Sequence, residues 1–90
     1  MNNSITQEQI DKLLDESDTQ EHVFWGKELI VSYRLKCGFT ISGSAACVDP
    51  QNFSFEIGRK YVREDAANQL WKLEGYRLQW RLYMENLLYG

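Results

Sequence analysis

Asp49-Pro50-Gln51-Asn52-Phe53-Ser54, followed by some thirty residues with no further proline, is the stretch that decides the fold. Asp49 offers a carboxylate to free backbone N–H groups, and Pro50 stands where a missing N–H costs nothing and a fixed φ already suits a helix. The pattern predicts either one start at Pro50, or a first turn over residues 50–53 that hands over to a second cap at Ser54. Beyond it, Val62, Ala66, Leu70, Leu73, Trp80 and Met84 fall on one side at about 100° per residue. Ala67, Trp71, Leu78 and Leu82 form a second stripe well away from the first. One stripe can cover a sheet, and the other needs its own partner.

A helix from about Ser54 to Tyr83 is roughly 45 Å long, whereas a run of nine strand residues spans about 30 Å. The helix therefore outruns any sheet it covers, and its far part carries Leu78, Trp80, Leu82, Tyr83 and Met84. Two outcomes follow: self-association as a dimer through that part, or a break at Gly75 that folds the last segment back.

The sheet lies upstream. Val23-Phe24-Trp25, Leu29 to Leu35 and Phe39-Thr40-Ile41 are β-rich runs separated by turns at Gly26-Lys27 and Cys37-Gly38. They predict a three-stranded antiparallel meander. Leu29, Val31, Tyr33 and Leu35 share one face of the middle run, and Phe39, Ile41, Gly43, Ala45 and Cys47 share one face of the third. These faces are expected to meet Val62, Ala66, Leu70 and Leu73. Gly43, with no bulk to offer, marks either the closest approach of helix and sheet or a bulge.

Before the meander, residues 4–16 read as a short helix. Ser4 with Gln7, or Thr6 with Gln9, has capping-box spacing, and Ile10, Leu13 and Leu14 form a narrow apolar face that must dock, with the second stripe as its seat. Ser17-Asp18-Thr19 reads as a loop. The fold class is α+β: a short N-terminal helix, the meander, and a long C-terminal helix packed on the sheet, all in one domain over residues 1–90.

The net charge of −3 hides a gradient. Six acids precede Gly26 against Lys12 alone, while bases slightly outnumber acids after Pro50. The plain reading is two solvated helix faces of opposite sign that attract one another. The functional readings are an acidic arm that engages a basic host protein or mimics a nucleic-acid backbone, and a basic patch at Arg59, Lys60 and Arg63 that binds phosphate, with Tyr61 to stack a base.

Reaction chemistry has little to stand on. Ser42-Gly43-Ser44 lacks the second glycine of a nucleophile elbow, and His22 has no evident reason to approach Ser44. Gly58-Arg59-Lys60 lies within a helix whose amides are already used, so it is no phosphate loop, and Gly58 more simply marks close packing. Cys37 and Cys47, about 30 Å apart at opposite ends of one strand, are expected as free thiols, and one histidine without a Cys-x-x-Cys gives no zinc spacing. No catalytic residue, metal or cofactor is expected. With no apolar run near 20 residues and a polar, acidic N-terminus, a cytoplasmic protein is expected.

Cys47-Val48-Asp49-Pro50-Gln51-Asn52-Phe53, then Glu56-Ile57-Gly58-Arg59, then Leu70-Trp71-Lys72-Leu73-Glu74-Gly75-Tyr76 resembles a small uncharacterised family of tailed-phage accessory proteins named after products of a coliphage and a Shigella phage. The likeness covers about three quarters of the chain and departs at Cys37-Gly38, where the family tends to have Asn-Gly, which leaves the turn type open. The resemblance implies a phage or prophage origin and no activity to carry over. Such proteins commonly bind a host component, so it favours a non-enzymatic protein that engages a host bacterial protein, of host-takeover or anti-defence type. The candidate partner surface is Trp71, Leu78, Trp80, Leu82 and Tyr83. The alternative is a nucleic-acid or nucleotide binder using Arg59, Lys60 and Arg63.

Overall fold

The computed structural model describes residues 4–89; the rest of the expected single domain, residues 1–3 and Gly90, lies outside the described residues. Helix α1, Gln7–Asp15, opens on the second of the two candidate capping boxes. Thr6 Oγ1 accepts from the Gln9 amide at 3.2 Å, and Gln9 Oε1 accepts from the Thr6 amide at 2.9 Å. Two amides that the first helical turn leaves without partners are thereby satisfied, and the helix starts at Gln7 rather than Ser4.

Strands β1 (Asp18–Phe24), β2 (Glu28–Arg34) and β3 (Thr40–Ala46) form an antiparallel sheet in the order β1-β2-β3. Its register sets Glu21 opposite Val31, Val31 opposite Gly43, and Tyr33 opposite Ile41. The loop expected at Ser17-Asp18-Thr19 is shorter than its composition implies, since Asp18 and Thr19 already belong to β1. As an edge strand whose first five residues are exposed, β1 needs no apolar alternation; its ladder to β2 and the Arg34–Asp18 ion pair at 2.8 Å between register partners hold it.

The hairpin turns differ. In the first, the Lys27 amide donates to Phe24 O at 3.0 Å, and both central residues have positive φ, Trp25 at 52° and Gly26 at 64°, the signature of a type I′ turn. Trp25, expected inside a strand, is thus a turn residue. In the second, the Gly38 amide donates to Leu35 O and the Leu35 amide to Phe39 O, both at 2.8 Å, and only Gly38 has positive φ. That is a three-residue loop closed by a glycine, in which Cys37 needs no left-handed backbone. Cys37 and Cys47 are free thiols.

The start signal works by handover. Asp49 caps a 3-10 turn at Pro50–Asn52, its carboxylate accepting from the Gln51 amide at 3.0 Å. Ser54 then caps α2, Phe55–Tyr89, with Oγ accepting from the Ile57 amide at 3.3 Å.

Ile10 and Leu14 of α1, Leu29, Val31 and Tyr33 of β2, Ile41 of β3, and Val62, Ala66 and Leu70 of α2 meet in one buried core. Ala67 and Trp71 of the second stripe pack against its margin, so α1 takes the seat expected of it. A Cβ at Gly43 would collide with the carbonyl oxygen of Val62 and lie 3.0 Å from its Cγ1, so here the backbones of β3 and α2 touch. At Gly58 a Cβ would lie 3.3 Å from Leu29 Cδ2. Side chains of α2 also reach the free edge of β3: Asp65 Oδ2 accepts from the Ser44 amide at 3.0 Å, and Gln69 Nε2 donates to Ser42 O at 2.7 Å.

Two residues expected inside lie at the rim. Leu73 is 40% exposed and Phe39 54%, because β3 begins only at Thr40 and the sheet gives out beneath that turn of α2. The helix does not stop there. It runs through Gly75 without a break, and the molecule measures 59 × 21 × 18 Å with a radius of gyration of 16.5 Å, against about 12 Å for a compact chain of this length.

Candidate interaction surface

Past Leu73, α2 has no strand beneath it, and the helical repeat that buries Val62, Ala66 and Leu70 carries its apolar side chains into water. Tyr76 is 67% exposed, Trp80 48% and Tyr83 51%. Their rings form an edge-to-face ladder, with centroids 6.3 Å apart from Tyr76 to Trp80 and 5.4 Å from Trp80 to Tyr83. That geometry sets the positive rim of one ring against the negative face of the next. With Gln79 they border a shallow hollow of about 250 Å³.

The expected partner residues therefore divide. Trp80 and Tyr83 are presented to solvent, while Trp71 is half buried against the core. Leu78 borders a second hollow with Ser4, Ile5 and Gln9 at the start of α1, and Leu82 is partly covered. Tyr76 and Leu87, the latter 64% exposed, belong to the exposed row although the sequence reading left them out. The signal was there as a spacing of 3 and 4 residues from Leu73 through Tyr76, Trp80 and Tyr83 to Leu87.

The basic candidates are largely occupied. Arg59 grips Glu21 with two parallel hydrogen bonds of 2.8 and 3.0 Å, and its guanidinium lies 5.1 Å from the ring centre of Phe55. That hydrogen bond, with the nearby charge adding to it, holds the Glu21 carboxyl below its ordinary value and raises Arg59 above its own. Arg63 meets Asp15 at 2.9 Å and Asp11 at 3.7 Å. Lys60 is exposed on α2. Beneath Arg63, burial pushes the Tyr33 phenol above its ordinary 10.0, and the arginine opposes that shift. The acidic N-terminal part and the basic helix thus attract one another, as the plain reading of the charge gradient had it.

His22 is exposed on β1, its ring centre 4.3 Å from that of Phe24 with the two planes tilted by 58°. The Ser44 amide is taken by Asp65. Among the described residues no group of three or more His, Cys, Asp or Glu side chains is placed to hold a metal ion, and no helix is long and apolar enough to cross a membrane.

Fold and surface together define a small two-layer α+β protein, helices on one face of a meander, with a projecting helix that carries an exposed aromatic row. The chain belongs to the phage protein family named after N4 Gp49 and phage Sf6 gene 66, whose model matches residues 5–82. No curated protein and no solved structure matches it. The matched region takes in the sheet, the core and the overhang as far as Leu82.

Proposed function

We propose that this phage protein acts non-enzymatically in the host cytoplasm by binding a host protein, as in host takeover or anti-defence, and that the projecting half of α2 makes the contact. One observation carries the reading: Tyr76, Trp80 and Tyr83 stand about half or more in water on a helix that their own sheet does not reach. Large aromatic rings gathered in one row are the side chains that dominate protein contacts. Membership of a phage family supplies the setting.

Nucleic-acid binding has weaker support. A phosphate at Arg59 or Arg63 has to displace Glu21, or Asp11 and Asp15, and a chain of net charge −3 repels a polyanion as a whole. The test is capture from host lysate at two salt concentrations, using the wild-type chain and Trp80→Glu. A host protein retained at high salt by the wild type and lost by the variant is the expected result. Capture that is unchanged by Trp80→Glu, or that collapses with salt or nuclease, refutes the reading.

A further inference from the structure

Leu73, Tyr76, Trp80, Tyr83 and Leu87 follow one another along α2 at intervals of 3, 4, 3 and 4 residues, and each is between 40% and 67% exposed. That spacing is the seam of a two-helix coiled coil, in which each side chain settles between residues of a facing helix. A helical partner fits such a stripe, and the rest of the molecule decides which helix and in which direction.

At 100° per residue the stripe lies only about 60° round the helix from the row Val62, Ala66 and Leu70 that faces the sheet. Two copies paired in parallel would set Lys72 of one copy beside Arg77 of the other. Antiparallel pairing removes that conflict. The sheets go to opposite ends, and the flanking neighbours become Gln79 with Asn86 and Arg77 with Met84, none of them a like-charge pair. Arg77 and Arg81 are meanwhile compensated within their own helix by Glu74 and Glu85.

We propose that a second copy of this chain occupies the stripe, the two overhangs pairing antiparallel with Trp80 of each beside Tyr83 of the other and Tyr76 beside Leu87. The proposal rests on the reading that the overhang is a contact surface, and since one set of rings cannot face two partners at once, the second copy and the host protein compete for it. The register suits the length of the overhang, because it brings the end of one α2, at Tyr89, opposite Glu74 of the other, one residue past Leu73 where the sheet gives out. With on the order of 100 Å² exposed on each stripe residue, two copies bury about 1,000 Å². That is the lower bound for a specific interface, which places the pairing among the weak, reversible ones.

Sedimentation equilibrium from about 5 to 500 micromolar tests the pairing. The expected result is a shift from monomer to dimer mass, abolished by Trp80→Glu while circular dichroism verifies that the variant is folded. Direction is tested by disulfide trapping in a Cys37→Ser, Cys47→Ser background. Leu87→Cys alone should not cross-link, since antiparallel pairing holds the two positions about 17 Å apart, whereas a mixture of Leu87→Cys and Tyr76→Cys chains should. A monomer at the highest concentration, or Leu87→Cys cross-linking with itself, overturns the proposal. A monomer that still loses its host partner on Trp80→Glu refutes the pairing alone; a dimer whose captured partners do not depend on Trp80 refutes the host-contact reading alone.

Discussion

Replacing Gly43 by alanine adds a single methyl group, yet the geometry makes it one of the more damaging small changes available. The new Cβ would overlap the Val62 carbonyl oxygen and sit 3.0 Å from Val62 Cγ1 and 3.2 Å from the carbonyl carbon. The obstacle is helix backbone and cannot rotate away as a side-chain tip would. To restore ordinary contact, α2 has to lift off β3 by about 1 Å, a gap that forfeits a quarter to a half of each dispersion contact across the seam. Val62, Ala66 and Leu70, all at most 1% exposed, lie along that seam. Overpacking of this kind costs about 1–3 kcal/mol, and it outweighs the roughly 0.4–1 kcal/mol that alanine gains over glycine by stiffening the unfolded chain. Gly75 supplies the internal control, since a Cβ there meets nothing within 4 Å and the site is mid-helix, where alanine is favoured by about 0.8–1 kcal/mol. In urea, with a slope of about 1–3 kcal/mol per molar, Gly43→Ala should lower the midpoint by roughly 1 M at unchanged slope, while Gly75→Ala raises it. A Gly43→Ala midpoint at or above that of the wild type would refute the close-approach reasoning.

Neighbouring positions on α2 should separate in the same assay: Leu70→Ala should cost about 2–5 kcal/mol, and Leu73→Ala, at the rim, under about 1 kcal/mol. Equal losses would mean that the sheet extends further under α2 than described. Trp25→Asn should stabilise the protein by on the order of 0.5–1 kcal/mol, because asparagine accepts the positive φ that tryptophan occupies at strain; a lowered midpoint would show that the exposed ring contributes more than the turn costs. The Glu21 carboxyl is held below its ordinary 4.5 by Arg59, so the pair stabilises the fold above that pH and the contribution is lost as pH falls through the depressed value. Glu21→Gln should therefore lower the midpoint at pH 7 and flatten its fall as the pH drops below 4.5; parallel wild-type and variant profiles would count against the coupling.

Much of this architecture was legible in the residues because two periods and two caps speak plainly. The change from a 3.6-residue repeat to alternation separated helices from sheet, the Asp49-to-Ser54 handover formed as its residue types dictate, and Gly43 and Gly58 marked the closest contacts. What the pattern hid was decided by neighbours. Asp18 has no strand character of its own, and the pair Asp18-Thr19 is drawn into the strand by its ladder to β2. Leu73 carries the helical repeat of a core residue but lies where the sheet has already given out, a length that periodicity does not encode. On the candidate surface, Trp80 and Tyr83 were identifiable as apolar residues beyond the reach of a short sheet, whereas the occupation of Arg59 and Arg63 by Glu21, Asp15 and Asp11 arises between residues 38 to 52 positions apart and shows only once the chain has folded.

The contacts from Asp65 and Gln69 to Ser44 and Ser42 bear on how this protein behaves when crowded. Any sheet with open sides invites another strand to add on, the route by which small β proteins polymerise. Here helix side chains cover the outward amide of Ser44 and the outward carbonyl of Ser42, so β3 offers an incoming strand a broken row of partners. β1 remains open along its length; its carboxylates are taken up within the molecule, Asp18 by Arg34 and Glu21 by Arg59. A strand joining this sheet therefore finds its row of partners at β1 and not at β3.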